Sequence, residues 1–187
     1  MKKKLYRNNA HWLILLFVIF LIGLFIGLNV FHYRQVRSPS SVTPENSNSV
    51  SAKVLYVIDG DTMDVSIDGK KERVRLIGID APEMAYEEKQ ADCFSGESAD
   101  ALKTIINGNA VSLVLDPTQS DRDSYGRLLR YLYLPDGTNV NKMMVEQGYA
   151  YEYTYKENPY QLQGEFQEAE QKAKAVKAGL WADGVCP

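Results

Sequence analysis

Apolar and polar positions alternate three times in quick succession from residue 53 onward, at Lys53 to Ile58, Thr62 to Ile67 and Glu72 to Ile79. Period-two patterning rich in β-branched residues predicts half-buried strands, so three consecutive strands are expected here. The break Asp68-Gly69-Lys70 has the composition of a tight hairpin, with Val65 and Ile67 before it and Val74 and Leu76 resuming the alternation after it. The earlier break lies inside VIDGDTMDV, Val57 to Val65, and differs because Asp61 and Thr62 already belong to the alternating pattern. Gly60 therefore predicts a bend or bulge that aims Asp61, and the turn proper belongs at Asp68-Gly69.

Asp80-Ala81-Pro82-Glu83 ends the pairing, since proline cannot donate to a ladder, and an acidic loop runs on through Asp92. The period then lengthens. Ser95, Glu97 and Ser98 open a helix that carries Ala99, Leu102, Ile105 and Ile106 on one face, and Gly108 ends it. Val111 to Leu115 and Leu128 to Leu134 predict two more strands, separated by the polar loop Ser120 to Arg127. Val140 to Gln147 and Leu162 to Lys177 predict amphipathic helices, with Gly179, Leu180 and Trp181 tying down the end of the second. Three strands, a helix, two strands and then helices is an α+β order, compatible with a five-stranded OB-type β-barrel with three α-helices.

Upstream of the domain the pattern is of another kind. Residues 12–31 are apolar without a single charge, about the length of a helix that crosses a bilayer. The run is longer than the ~7–15 apolar residues of a signal peptide and no small-residue cleavage site follows it, which favours an uncleaved N-terminal transmembrane helix. Lys2, Lys3, Lys4 and Arg7 precede the span and only Arg34 and Arg37 follow closely, so residues 1–11 should be a cytoplasmic basic tail. Residues 32–52, rich in Ser, Pro and Asn, read as a flexible extracellular tether, and 53–187 as the folded domain at the cell surface. Cleavage of the anchor would give a secreted form.

From residue 52 onward the chain carries 15 Lys and Arg against 23 Asp and Glu, a net charge of −8. Such a domain is poorly suited to passive nucleic-acid binding, which rests on a positive field, yet well suited to gathering a cation. Both histidines, His11 and His32, flank the apolar run, so the domain has none. That excludes Ser-His-Asp and Cys-His catalysis and histidine-ligated zinc. The two cysteines, Cys93 and Cys186, form no CxxC pair and leave two alternatives open, a disulfide that ties down the C-terminal tail or two buried thiols.

Carboxylates, arginines and tyrosines remain, concentrated at Asp59/Asp61, Arg75 to Glu83 and Asp121 to Arg127. If the first three strands form a meander, Asp61 and Asp80 fall at one end of the barrel and could share a hard cation, calcium or magnesium. Arg75 can approach that end along the third strand, and Glu83 sits on a loop with the exposure of a general base. Phosphodiester hydrolysis needs this combination: a cation, a carboxylate to take a proton from water, and guanidiniums on the accumulating charge. Asp59 reads either as a carboxylate supporting the metal site through water or as the polar half of the bend.

The runs IDGDT at Ile58 to Thr62, RVRLIGIDAPE at Arg73 to Glu83 and DSYGR at Asp123 to Arg127 resemble the staphylococcal nuclease family, as do VNKMMVEQGYA at Val140 to Ala150 and the terminal GLW. The similarity spans about Lys53 to Trp181 in unchanged order. It implies a Ca2+-dependent endonuclease acting on DNA and RNA and leaving 3′-phosphate ends, with a monomeric nuclease domain. Position by position it implies Asp61, Asp80 and the backbone carbonyl of Ala81 as calcium ligands. It implies Glu83 as general base, Arg75 and Arg127 as phosphate-binding arginines, Tyr125 as a contact to a second phosphate, and Tyr153 and Tyr155 as the walls of a base pocket. Ser124 replaces a Lys seen in some members. Two competing readings carry no catalysis: an OB-fold module that holds nucleic acid without cutting it, and a surface domain stabilised by calcium.

Overall fold

The computed structural model describes residues 49–108 and 110–186. Five strands close into a barrel: β1 (Ser49–Val57), β2 (Thr62–Ile67), β3 (Lys70–Leu76), β5 (Val111–Val114) and β6 (Leu128–Tyr133), in the spatial order β1-β2-β3-β6-β5. A two-residue strand β4 (Ile79–Asp80) pairs outside the barrel with β7 (Tyr151–Glu152). Helices α1 (Ser95–Ile106), α2 (Val140–Glu146) and α3 (Gln163–Ala175) complete the α+β architecture.

The first three strands form the expected antiparallel meander. Asp68 and Gly69 both have positive φ, 49° and 80°, and Ile67 pairs directly with Lys70. This is the mirror-image two-residue turn that matches strand twist. Inward-facing Met63, Val65, Val74 and Leu76 of the hairpin meet Leu113 of β5 and Leu132 of β6 in the core, all 1% exposed or less. Truncating one of these to Ala costs about 2–5 kcal/mol, because the cavity adds to the lost transfer energy.

Several boundaries differ from those the pattern predicts. Ser49 to Ala52, read as the end of the tether, extend β1 and pair with Val111 to Val114. Their polar composition hides a strand whose stability comes from backbone pairing to the barrel. The third strand stops at Leu76, three residues early, because Gly78 turns the chain at φ 78°. A Cβ there would lie 2.6 Å from the Tyr160 ring. The register irregularity in the first hairpin falls between Val54 and Tyr56, while Gly60 sits in a bend whose Ile58 N–H donates to Thr62 O at 2.9 Å. Gly60 needs no special φ. A Cβ at Gly60 would meet Ser98 Oγ at 1.8 Å and Ala81 Cβ at 2.7 Å, so the absent side chain lets α1 dock against the bend.

β3 and β6 pair in parallel, Val74 with Leu128 through Leu76 with Arg130, and part beyond Leu76. Buried Asn141 fills that opening from α2. Its Nδ2 donates to Ile77 O at 2.9 Å and its Oδ1 accepts from Leu132 N at 2.9 Å, so backbone groups released by the diverging strands keep partners. Buried Asp116 accepts from Tyr131 Oη, from both Thr118 donors and from Gln161 N, joining the start of the 116–127 loop to the approach to α3. A Cys93–Cys186 disulfide ties the residue before Phe94 to the C-terminal tail across 93 residues. The predicted basic tail, span at 12–31 and most of the tether lie outside the described residues. Among the described residues no helix is long and apolar enough to cross a membrane.

Candidate active site

The bend between β1 and β2 carries its own lock. Asp59 Oδ1 accepts from Asp61 N at 2.9 Å and Thr62 N at 2.7 Å, so this side chain shapes the bend. With the backbone fixed, Asp61 points inward at 2% exposure. Its Oδ2 accepts from Ala81 N at 2.7 Å and its Oδ1 from Thr62 Oγ1 at 2.8 Å, so β2 is stitched to the residue just past β4. Burial pushes the Asp61 carboxyl up to about 7, against the lowering by Arg75. Asp59 adds to the rise.

Arg75 reaches the same point from β3 and is 12% exposed. Its Nη2 lies 3.1 Å from Asp61 Oδ2 and 2.9 Å from Asp80 Oδ1, so one nitrogen bridges the two carboxylates. Nη1 donates to Leu76 O at 2.9 Å and Ile79 O at 2.7 Å. The guanidinium is thereby held across the divergence of the chain between β3 and β4.

Asp80 and Glu83 lie on the open side. The Asp80 side chain is 49% exposed. Glu83 is exposed and opens a loop closed by Asp92, whose Oδ2 accepts from Glu83 N at 3.1 Å and whose N–H donates to Glu83 O at 2.9 Å. Partial burial of its carboxyl holds the Glu83 pKa above the ordinary value, and the charge of Asp59 adds to the shift. A raised carboxylate pKa improves a general base at neutral pH.

The second arginine comes from the 116–127 loop. Arg127 Nε donates to Asp123 Oδ2 at 2.6 Å, and its Cζ stands 5.5 Å from the centre of the Tyr125 ring, which is 84% exposed. The tyrosines of the predicted base pocket arrive through β7, which the sequence pattern did not predict. Asp80 pairs with Tyr151, Ile79 with Glu152, and Tyr153 N donates to Gly78 O at 3.0 Å, which sets Tyr153 beside the edge carrying Asp80. Tyr155 follows with ring centroids 6.5 Å apart, and Lys156 Nζ lies 5.1 Å from the Tyr155 ring centre.

These groups converge on one cleft of about 560 Å³. Arg75, Asp80, Glu83, Tyr125, Arg127, Tyr153 and Tyr155 all line it. Asp61 and Ala81 are buried and meet the cleft through the Arg75 bridge and the Asp61–Ala81 bond, and Asp59, also buried, is bonded to the backbone at Asp61 and Thr62. Seven of the ten catalytic, binding, metal and supporting residues expected from sequence therefore line one cleft. No role was read in sequence for Asp123, Ser98 or Asn141, although Asp123 lies in DSYGR, Asn141 in VNKMMVEQGYA and Ser98 at the start of a predicted helix.

Among the described residues no three His, Cys, Asp or Glu side chains gather as a metal-holding group. Two carboxylates do converge, Asp61 and Asp80, on one nitrogen of Arg75. That donor set fits calcium, which completes its shell with water from an open side, and does not suit a soft transition metal.

The family model described as "Staphylococcal nuclease homologue" matches residues 73–183. An uncharacterized protein of Bacillus anthracis is 38% identical over 135 residues, covering 72% of this chain and 62% of that relative, so the chain spans less than two thirds of its length. An uncharacterized endonuclease of Escherichia coli O157:H7 is 37% identical over 134 residues, 72% of this chain and 78% of the relative. A thermonuclease of Staphylococcus hyicus is 33% identical over 139 residues, 74% of this chain and 79% of the relative. Matching motifs, a closed five-stranded barrel and these likenesses agree: the chain belongs to the staphylococcal nuclease homologue family and is a hydrolase of the nuclease class.

Proposed function

We propose that the protein is a calcium-dependent endonuclease that hydrolyses phosphodiester bonds of DNA and RNA at the outer cell surface and leaves 3′-phosphate ends. The observation that carries this reading is the convergence of Arg75, Asp80, Glu83 and Arg127 on one open cleft with a tyrosine-lined side.

Asp61, Asp80 and the Ala81 carbonyl would hold the ion. Bound calcium supplies positive charge to a phosphate oxygen. Glu83 takes a proton from a water facing the phosphorus, and the oxygen of that water forms the new P–O bond. The P–O5′ bond breaks, the departing 5′ oxygen takes up a proton, and the 3′ fragment end keeps its phosphate. Arg75 and Arg127 hold the charge that grows on the phosphoryl oxygens, a task suited to a planar fork of donors. Tyr125 stands beside Arg127 to contact a neighbouring phosphate, and Tyr153 and Tyr155 offer faces to a base, which stacks without regard to sequence. Such recognition suits single strands and favours neither sugar.

The outer-surface location rests on the apolar run at 12–31 and on the lysines that precede it. Protease treatment of intact cells should remove the domain while leaving the N-terminal tail; a domain protected until lysis contradicts this location. End-labelling of digested DNA should find 3′-phosphates and 5′-hydroxyls. Products with 5′-phosphates would contradict the proposed bond cleavage.

A further inference from the structure

The cleft's two arginines are gripped in opposite ways. Arg75 is held at its tips, with Nη1 on two carbonyls and Nη2 between two carboxylates. Arg127 is held from behind. Its Nε donates to Asp123 Oδ2 at 2.6 Å, and among the described residues no hydrogen bond reaches Nη1 or Nη2.

The same carboxylate organises the turn that delivers this side chain. Asp123 Oδ1 accepts from Tyr125 N and from Arg127 N, each at 2.9 Å. The Asp123 backbone closes the turn as well, donating to Arg127 O at 3.0 Å and accepting from Gly126 N at 3.1 Å. Burial raises the Asp123 carboxyl pKa, but the bonds from Arg127 and the backbone outweigh it and hold the group below the usual range. It is ionised at neutral pH, so the bond to Nε is charge-assisted.

We propose that Asp123 is a positioning residue that acts through Arg127, anchoring Nε so that the Nη1–Nη2 edge stays presented to a phosphate of a nucleic-acid chain. An arginine has five donors in a rigid fork, and using one as a fixed point leaves a two-donor edge for phosphate oxygens. Unanchored, the side chain would have to find that orientation after substrate arrives, at a cost in ordering. The inference rests on Arg127 being a phosphate-holding group.

The test is a double-mutant cycle on the purified full chain, measuring kcat and KM for single-stranded DNA with calcium present. Asp123→Asn should lower kcat about 10–100-fold with a smaller change in KM, as misplacement of a catalytic group does, and Asp123→Glu should recover part of the loss. In the Arg127→Met background, Asp123→Asn should cause no further loss, since residues acting as one unit are non-additive. A wild-type rate for Asp123→Asn, or fully additive losses, overturns the proposal. An activity-free readout separates it from the functional reading: the Arg127 Nε–H should exchange slowly by NMR in the wild type and rapidly in Asp123→Asn and, if that variant does not fold, at an intermediate rate in Asp123→Glu. Slow exchange in a chain that cuts nothing would still support the anchor while sinking the nuclease mechanism. Equal exchange in wild type and variants overturns the anchor.

Discussion

The Asp61–Arg75–Asp80 cluster and the Asp123–Arg127 loop meet at one cleft, yet the first is tied into the barrel through β3 and the second is carried on a loop. Asp61, in the bend just before β2, and Arg75, on β3, sit at 3% and 12% side-chain exposure, beside the pairing of Thr62 with Arg75. Their charges bond to backbone groups that the fold itself must satisfy, at Ala81, Leu76 and Ile79. Asp123 and Arg127 are four residues apart in a loop and pair with one another. Charge built into strands is shared between stability and function, whereas charge carried on a loop can be removed with the fold left standing.

The largest expected effect lies at neither arginine. Glu83→Gln keeps the shape of the side chain and removes the base, so turnover should fall about 10²–10⁴-fold with an unchanged thermal midpoint. Cleavage at the wild-type rate would remove Glu83 from the mechanism. Arg75→Met and Arg127→Met break the comparison directly. Each should slow cleavage about 10²–10³-fold, as loss of one transition-state donor does. Only Arg75→Met should also destabilise the fold, by about 3–5 kcal/mol in urea without calcium, because it leaves buried Asp61 facing Asp80 unbridged. Arg127→Met should cost about 1 kcal/mol or less, since its pair is partly solvated. Equal stability losses would refute the division between barrel and loop.

A smaller effect belongs to the root of the loop. Burial raises the Asp116 carboxyl pKa, but hydrogen bonds from Tyr131, Thr118 and Gln161 outweigh it and hold the group below the usual range. A folded-state pKa lower than the unfolded one adds stability that is complete above the unfolded value of about 4 and is lost as pH falls through the folded value. Asp116→Asn should therefore lower stability at pH 7 by about 1–3 kcal/mol and flatten its decline below about pH 4. Urea titrations across that range would check it, and an unchanged acid limb would contradict the assignment.

Much of this architecture was legible because local chemistry and global fold agree. Asp68-Gly69 can make its turn without help from the rest of the chain, and the alternation around it sets the hairpin register. Asp61 and Asp80 followed from the meander. Features made by distant partners were not legible. β7 is two residues long and exists only because Ile79 and Asp80 offer an edge, and Tyr153 reaches the cleft through that pairing. The same holds for Asn141, which reads as an ordinary polar helix residue until strands β3 and β6 are seen to part above it. Gly60 was read correctly as a special position for a partly different reason, since the constraint is Ser98 of a helix that starts 35 residues later. Asp123 was legible only as part of the polar cluster at Asp121 to Arg127, because its bonds to Arg127 exist only once the turn has formed.

The central claim is that the buried and open halves of the cleft act together around a calcium ion. The most direct test is cleavage of single-stranded DNA by the purified full chain as free calcium is titrated and then removed with a chelator. Cleavage that rises with calcium, stops on chelation and returns when calcium is restored is the predicted result. Cleavage that continues unchanged in excess chelator would contradict it.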